Sequence, residues 1–177
     1  MKIFVINGRP RSGKDTFVQF CQDHTHWCFN VSTVDFVKVI AAHCGWDGTK
    51  TPENRKFLSD LKDLLTEWND VPFKKIEYEI RLYKCRMETY GYNPEEEGIV
   101  FIHCREPKEI ARICKELGAQ SLLITRDEVE TNEQSNHADA NIYNYNYDYT
   151  ISNDDTLEEF EQAAVRFLTA IGVKNLK

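Results

Sequence analysis

The chain has 177 residues, 41% of them hydrophobic, and sets 22 Lys and Arg against 29 Asp and Glu for a net charge of −7. That length suits one domain with a full core, and neither a membrane-length apolar stretch nor a secretory signal pattern is present, so a cytosolic protein is expected. Acidic runs at Glu95-Glu96-Glu97 and Asp127-Glu128-Val129-Glu130 would repel a phosphate backbone, which argues against nucleic acid as a partner.

The first predicted element is a short buried strand at residues 3–6. It leads into Gly8-Arg9-Pro10-Arg11-Ser12-Gly13-Lys14-Asp15-Thr16, which has the glycines and lysine of a phosphate-binding loop between a strand and the helical pattern Phe17, Val18, Phe20, Cys21. Glycines at positive φ let successive backbone N–H groups turn inward around polyphosphate oxygens. Lys14 then reaches the β and γ phosphates, and the helix starting near Gly13 aims its unpaired N–H groups at the same anion. Arg9 and Arg11 add to a basic set that stands out against the acidic background. The usual motif places Ser or Thr after the lysine as a ligand of Mg²⁺. Here that position is Asp15, and the hydroxyl arrives at Thr16. The expected ligands are ATP, or a closely similar triphosphate, and Mg²⁺ held near Thr16 and Asp15.

The spacing His24-x-His26-x-Cys28 straddles a helix end and a strand start, which speaks against a metal site. Six cysteines without a Cys-x-x-Cys pair are expected to be reduced core residues. A second strand is predicted at 27–31, followed by a helical insertion over 33–97. Asp35 opens it, placed either to accept a proton or bind an acceptor hydroxyl, or to cap a helix. The middle helix carries Phe57, Leu58, Leu61, Leu64, Leu65 and Trp68 on one face and Arg55, Ser59 and Lys62 on another. Arg55 and Lys62 belong either to a solvated face laced with Asp60 and Asp63 or to one wall of an acceptor pocket. A further helix carries Phe73, Ile76, Ile80, Tyr83 and Met87.

Strands are predicted at 99–103, 121–124 and 147–151, so the order is β-α-β, the insertion, β-α-β, a loop and β-α. This alternation specifies a three-layer α/β fold with a five-stranded, mostly parallel sheet. Ligands in such folds bind at the carboxyl ends of the strands. Residues 132–148, rich in Asn, Tyr and Asp, lack helical periodicity and read as a loop, so 126–146 is expected to be lid-like. His137 and Asp139 within it either close over the site or make Asx turns. The last helix opens with a capping-box pattern at Thr156 and Glu159 and is expected to bury Leu157, Phe160, Ala164, Phe167 and Ile171, with packing as its role.

These residues resemble the nucleoside-monophosphate-kinase branch of P-loop proteins, closest to the phage-type deoxynucleoside monophosphate kinases and the animal-type phosphomevalonate kinases. The resemblance rests on Gly13-Lys14-Asp15 in place of Gly-Lys-Ser/Thr. It also rests on Arg105-Glu106-Pro107-Lys108-Glu109, similar to an Asp-x-Arg-x-Pro-Asn-Glu segment, and on the final strand, turn and helix at 147–159. It implies a P-loop kinase fold, a nucleoside triphosphate donor and a phosphorylated acceptor. Where the family pattern ends the third strand with a carboxylate near the magnesium hydration shell, this chain has His103. Neutral imidazole suits a hard cation poorly, so the metal is expected to rely on ATP oxygens, Thr16, waters, and Asp15 or Glu106. Only one cation, Arg126, is visible where the family places several lid arginines.

Phosphoryl transfer needs positioning and charge neutralisation more than covalent chemistry. Lys14, Arg105 and Arg126 are the expected catalytic cations, with Arg105 as acceptor-phosphate or transition-state clamp because a guanidinium donates two parallel hydrogen bonds. Asp35, Arg55, Lys62 and Arg105 are the candidate acceptor-binding residues, and 8–9 with 11–16 the nucleotide-binding ones. The expected activity is transfer of the ATP γ-phosphate to a nucleoside or deoxynucleoside monophosphate. Phosphomevalonate or another phosphorylated metabolite is the alternative acceptor, and a silent nucleotide-binding regulatory protein is the alternative class. No Asn-Lys-x-Asp guanine motif is present.

Overall fold

The computed structural model describes residues 1–127, 142–173 and 176–177. Strands β1 (Lys2–Asn7), β2 (Cys28–Ser32), β3 (Ile99–His103), β4 (Gln120–Thr125) and β5 (Tyr149–Ser152) form one sheet in the order β2-β3-β1-β4-β5. β1 runs parallel to both β3 and β4, and β4 runs parallel to β5. Among the described residues the helices are α1 (Lys14–Asp23), α2 (Asp35–His43), α3 (Pro52–Asn69), α4 (Val71–Thr89), α5 (Pro94–Glu97), α6 (Pro107–Leu117) and α7 (Leu157–Ala170), with a 3₁₀ turn at Ile142–Asn144. All five expected strands form, and only their ends move.

The chain divides into two compact units, Met1–Asn30 with Met87–Lys177, and Val31–Arg86. The stretch read as an insertion over 33–97 is therefore shared between them. Its last part belongs to the first unit, where Met87 is fully buried beside Gly98.

In the first unit the sheet is buried on both faces, as parallel strands require. Phe4, Ile6, Ile99, Phe101, Leu122 and Ile124 meet Phe17, Val18 and Cys21 of α1 and Phe160, Ala164, Phe167 and Leu168 of α7. The alternate positions Val5, Val100, Ile102 and Leu123 are buried as well, and α6, with Ile110 and Ile113 inward, packs against β1 and β4. Aromatic rings dominate the first face: Phe4 and Phe167 lie 5.0 Å apart, Phe17 and Phe167 5.5 Å, both edge-on, an arrangement favoured by the ring quadrupole. Several helices start at a residue that favours a helix N-terminus. Pro occupies the first turn of α3, α5 and α6, and Thr156 and Glu159 make a reciprocal capping box on α7.

In the second unit α2 packs against α3, and α4 buries Phe73, Ile76 and Ile80 at helical spacing. The apolar stripe of α3 is wider than its packed face. Leu58, Leu61 and Leu65 are half-buried, whereas Phe57, Leu64 and Trp68 are exposed, because three residues at i, i+3 and i+7 already fill the contact.

Candidate functional site

The parallel register brings four strand ends to one edge of the sheet. Ile6 pairs with His103, Asn7 with Leu123, and Thr125 with Ser152. The phosphate-binding loop thus leaves β1 between the segments that follow β3 and β4. This is the edge where ligands bind in such sheets.

The loop has the backbone that its glycines permit. Gly8, Arg11 and Gly13 lie at φ 151°, 67° and 99°. A Cβ at Gly8 would strike the Ile124 carbonyl, and one at Gly13 would strike the Asn153 side chain, so both positions exclude a side chain on space as well as on φ. Gly13 is the N-cap of α1 and no side chain caps that helix, which leaves its first N–H groups directed at the loop. Lys14 Nζ folds over the loop and donates to the carbonyls of Gly8 and Arg9, both at 2.7 Å. Ser12 is fully buried, yet its hydroxyl has no hydrogen-bond partner among the described residues. A buried hydroxyl without a partner inside an anion cradle is suited to hydrogen-bond a ligand oxygen.

Beside the loop lies a cavity of about 350 Å³ lined by Arg11, Gly13, Lys14, Asp15, Thr16, Arg126, Asn153, Asp155, Leu157 and Phe160. It joins the start of α1 to Arg126 after β4 and to the β5–α7 turn. Leu157, expected to be buried, is 66% exposed and forms part of this wall, because the first residue of α7 precedes the turn that meets the sheet. The last helix therefore contributes to the site as well as to packing.

Two asparagines that the sequence reading passed over hold the loop in place. Asn153 receives its backbone position from β4, its N–H donating to Thr125 O at 2.9 Å, and its side-chain amide donates to Ser12 O at 2.9 Å. Asn7 is fully buried: its Oδ1 accepts from Gly8 N at 2.8 Å, while Nδ2 donates to Tyr147 Oη at 2.8 Å and to Arg105 O at 3.3 Å. Burial pushes the Tyr147 phenol up to about 12, so it stays protonated and donates to Ile142 O at 2.9 Å. A polar residue ending an otherwise apolar strand, one step before the loop, was the only sequence signal for Asn7.

The remaining candidates fall as follows. Asp15 and Thr16 offer oxygen donors on the cavity wall, a fit for a hard cation, and His103 Nδ1 lies 3.7 Å from Asp15 Oδ1. His103 thus faces the residue that stands where the usual hydroxyl would be. Arg126 lines the cavity. Arg105 is exposed just past β3, outside the cavity lining, with its carbonyl fixed by Asn7. In the second unit, Asp35 accepts from Ser32 N at 2.7 Å and from Lys38 Nζ at 3.2 Å, so it ties down the turn before α2, whose N-cap residue is Val34. Lys62 Nζ donates to Thr33 Oγ1 at 3.2 Å, Arg55 is exposed, and Asp60 pairs with Lys56. His24 pairs with Glu161 at 2.8 Å. His137 and Asp139, and residues 128–141 of the lid-like stretch, lie outside the described residues.

No family model matches the chain, and no curated protein matches it in sequence. Solved structures do. A tunicamycin resistance protein from Deinococcus radiodurans superposes with a TM-score of 0.53 at 12% identity, covering 99% of this chain and 97% of that one. A shikimate kinase from Aquifex aeolicus gives 0.45 at 14% identity over 98% and 99% of the two chains, and a dephospho-CoA kinase from Campylobacter jejuni gives 0.44 at 13% over 96% and 97%. With the strand order, the parallel ladders and the loop at the end of β1, the fold is the three-layer P-loop fold.

Proposed function

We propose that this chain is a small cytosolic kinase that uses ATP with Mg²⁺ to phosphorylate a small molecule already bearing a phosphate, a nucleoside or deoxynucleoside monophosphate in the reading its motifs favour. The observation that carries the proposal is the phosphate cradle: Gly8 and Gly13 where no Cβ fits, Lys14 over the loop, and the buried Ser12 hydroxyl awaiting an acceptor or donor. A cavity of about 350 Å³ is of nucleoside-binding size. The Leu157 side chain and the planar Arg126 guanidinium suit the base and ribose, and Thr16 with Asp15 suits the metal, which neutralises phosphate charge when bound.

Lys14 would orient and neutralise the β and γ oxygens, and Arg105 would clamp the acceptor phosphate or the transferring group. Asp35, Arg55 and Lys62 are proposed as acceptor-binding residues, and the stretch 126–146 as a lid-like cover. One observation favours a second reading, a silent nucleotide-binding regulator: His103 stands at the end of β3 where a metal-shell carboxylate would help transfer. Incubation with ATP·Mg²⁺ and a panel of monophosphates, read by ADP release, tests both. Acceptor-dependent release is expected, with Arg105→Lys impairing it while ATP affinity stays nearly unchanged, since an ammonium cannot reproduce a bidentate fork. Tight ATP binding with no acceptor-dependent release supports the regulator instead.

A further inference from the structure

Three separate stretches of chain meet at one buried amide, and none of them is adjacent in sequence. Asn7 Oδ1 takes the N–H of the first loop residue, Gly8, while Nδ2 spends one hydrogen on the carbonyl of Arg105 and the other on the hydroxyl of Tyr147. The orientation of this amide is fixed by its neighbours: flipped, it would set donor against the Gly8 N–H and acceptor against the Arg105 carbonyl. Tyr147 in turn passes its own hydrogen to Ile142 O, so the polar side-chain hydrogens of Asn7 and Tyr147 are all used. A second contact runs beside it, with the Arg9 guanidinium 5.8 Å from the centre of the Tyr143 ring, and Ile142, the residue before Tyr143, is fully buried. The 142–147 segment is thereby latched to the phosphate-binding loop at both of its ends.

The geometry points to Tyr147 as a positioning residue that, through Asn7, sets the loop's first peptide in register with the Arg105 segment, so that the donor phosphates and the Arg105 guanidinium are held at a fixed separation during transfer. This rests on the kinase reading above. Arg105 follows β3 by two residues and is exposed, and the hydrogen bond from Asn7 to its carbonyl joins its backbone to the loop. A fully satisfied polar network in a low-dielectric interior is rigid, and removing one member frees the others to shift. A displacement of the order of 1 Å between reacting groups costs about a hundredfold in rate without weakening ground-state contacts.

The test is Tyr147→Phe in the full chain, which keeps the ring and deletes the hydroxyl. Calorimetric ATP affinity and the KM for ATP are expected to stay within about twofold, while kcat toward the best acceptor of the panel falls by about ten- to a hundredfold. Amide exchange in the wild type, which needs no variant, is expected to show that ATP slows exchange in 142–147 and 103–107 together with 8–16, and the variant is expected to lose that coupling at 103–107. Wild-type kcat in the variant, or slowing confined to 8–16 in the wild type, overturns the inference. Failure of the wild type to bind ATP overturns the kinase reading itself and the inference with it.

Discussion

Ser12 and Lys14 carry opposite signatures of the same site. Lys14 has two carbonyl partners without a ligand, whereas the buried Ser12 hydroxyl has none among the described residues. Lys14→Ala should weaken ATP binding by roughly 1.5–3 kcal/mol, the worth of a charge-assisted contact. Ser12→Ala should instead leave the ligand-free protein as stable or more so, because an unsatisfied buried hydroxyl costs about 1–3 kcal/mol, yet it should still weaken ATP binding. Calorimetry with and without nucleotide separates the two, and a Ser12→Ala protein that melts lower and binds ATP normally would remove Ser12 from the cradle. Thr16 and Asp15 share one wall of the cavity, the side proposed for the metal. Thr16→Val is expected to reduce turnover more than Asp15→Asn, since an ionised carboxylate cannot donate a hydrogen bond to a phosphate oxygen. The reverse order would assign the metal shell to Asp15, the residue that His103 faces at 3.7 Å.

Among the elements, α7 shows how a local signal and a site wall coincide. Thr156 accepts from Glu159 N, and the Glu159 carboxylate accepts from the Thr156 N–H and hydroxyl, which holds the Glu159 carboxyl below its ordinary 4.5. A carboxyl depressed on folding stabilises the native state above its unfolded value, and that contribution disappears as pH falls through the folded value. The cap should therefore be at full strength above about 5 and weaken progressively below 4.5. Melting temperatures of wild type and Glu159→Gln, compared between pH 7 and pH 3, should differ most at neutral pH and converge in acid. A constant difference across that range would mean that the charge does not matter to the cap. Because Leu157 and Phe160 of the same helix line the cavity, loosening this turn should also raise the KM for ATP.

For the molecule as a whole, stability rests on a ring-rich layer between the sheet and two helices. Phe17 is fully buried and touches Phe101, Phe160 and Phe167, with centroids 6.2, 5.8 and 5.5 Å away. Phe17→Ala should cost about 3–5 kcal/mol, a large part of the 5–15 kcal/mol that a domain possesses. Urea denaturation should show the loss as a lowered midpoint, and ATP should recover part of it, since α1 carries both the ring and the first turn of the phosphate site. Trp68, 80% exposed on α3, is the contrasting case: Trp68→Lys should move that midpoint by no more than about 0.5 kcal/mol equivalent.

The amino-acid sequence determined the parts whose physics is local. An apolar run, two glycines, a lysine and a helical repeat lie within twenty residues, so β1, the loop and α1 were legible together, as were the Thr156 capping box and the five strands. Tertiary structure decided which side chains fix that loop. Asn7 reaches Arg105 and Tyr147 across 98 and 140 residues, and Asn153 reaches Ser12 across 141. An asparagine carries no pattern that announces such a partner, because an amide is equally at home in a turn, a cap or solvent. Strand order had the same character: alternation specified a parallel sheet, but only the pairing of β1 with both β3 and β4 placed His103, Arg126 and Asn153 around the end of β1. The apolar stripe of α3 misled for the converse reason, since periodicity records which residues share a face and not how much of that face finds a neighbour.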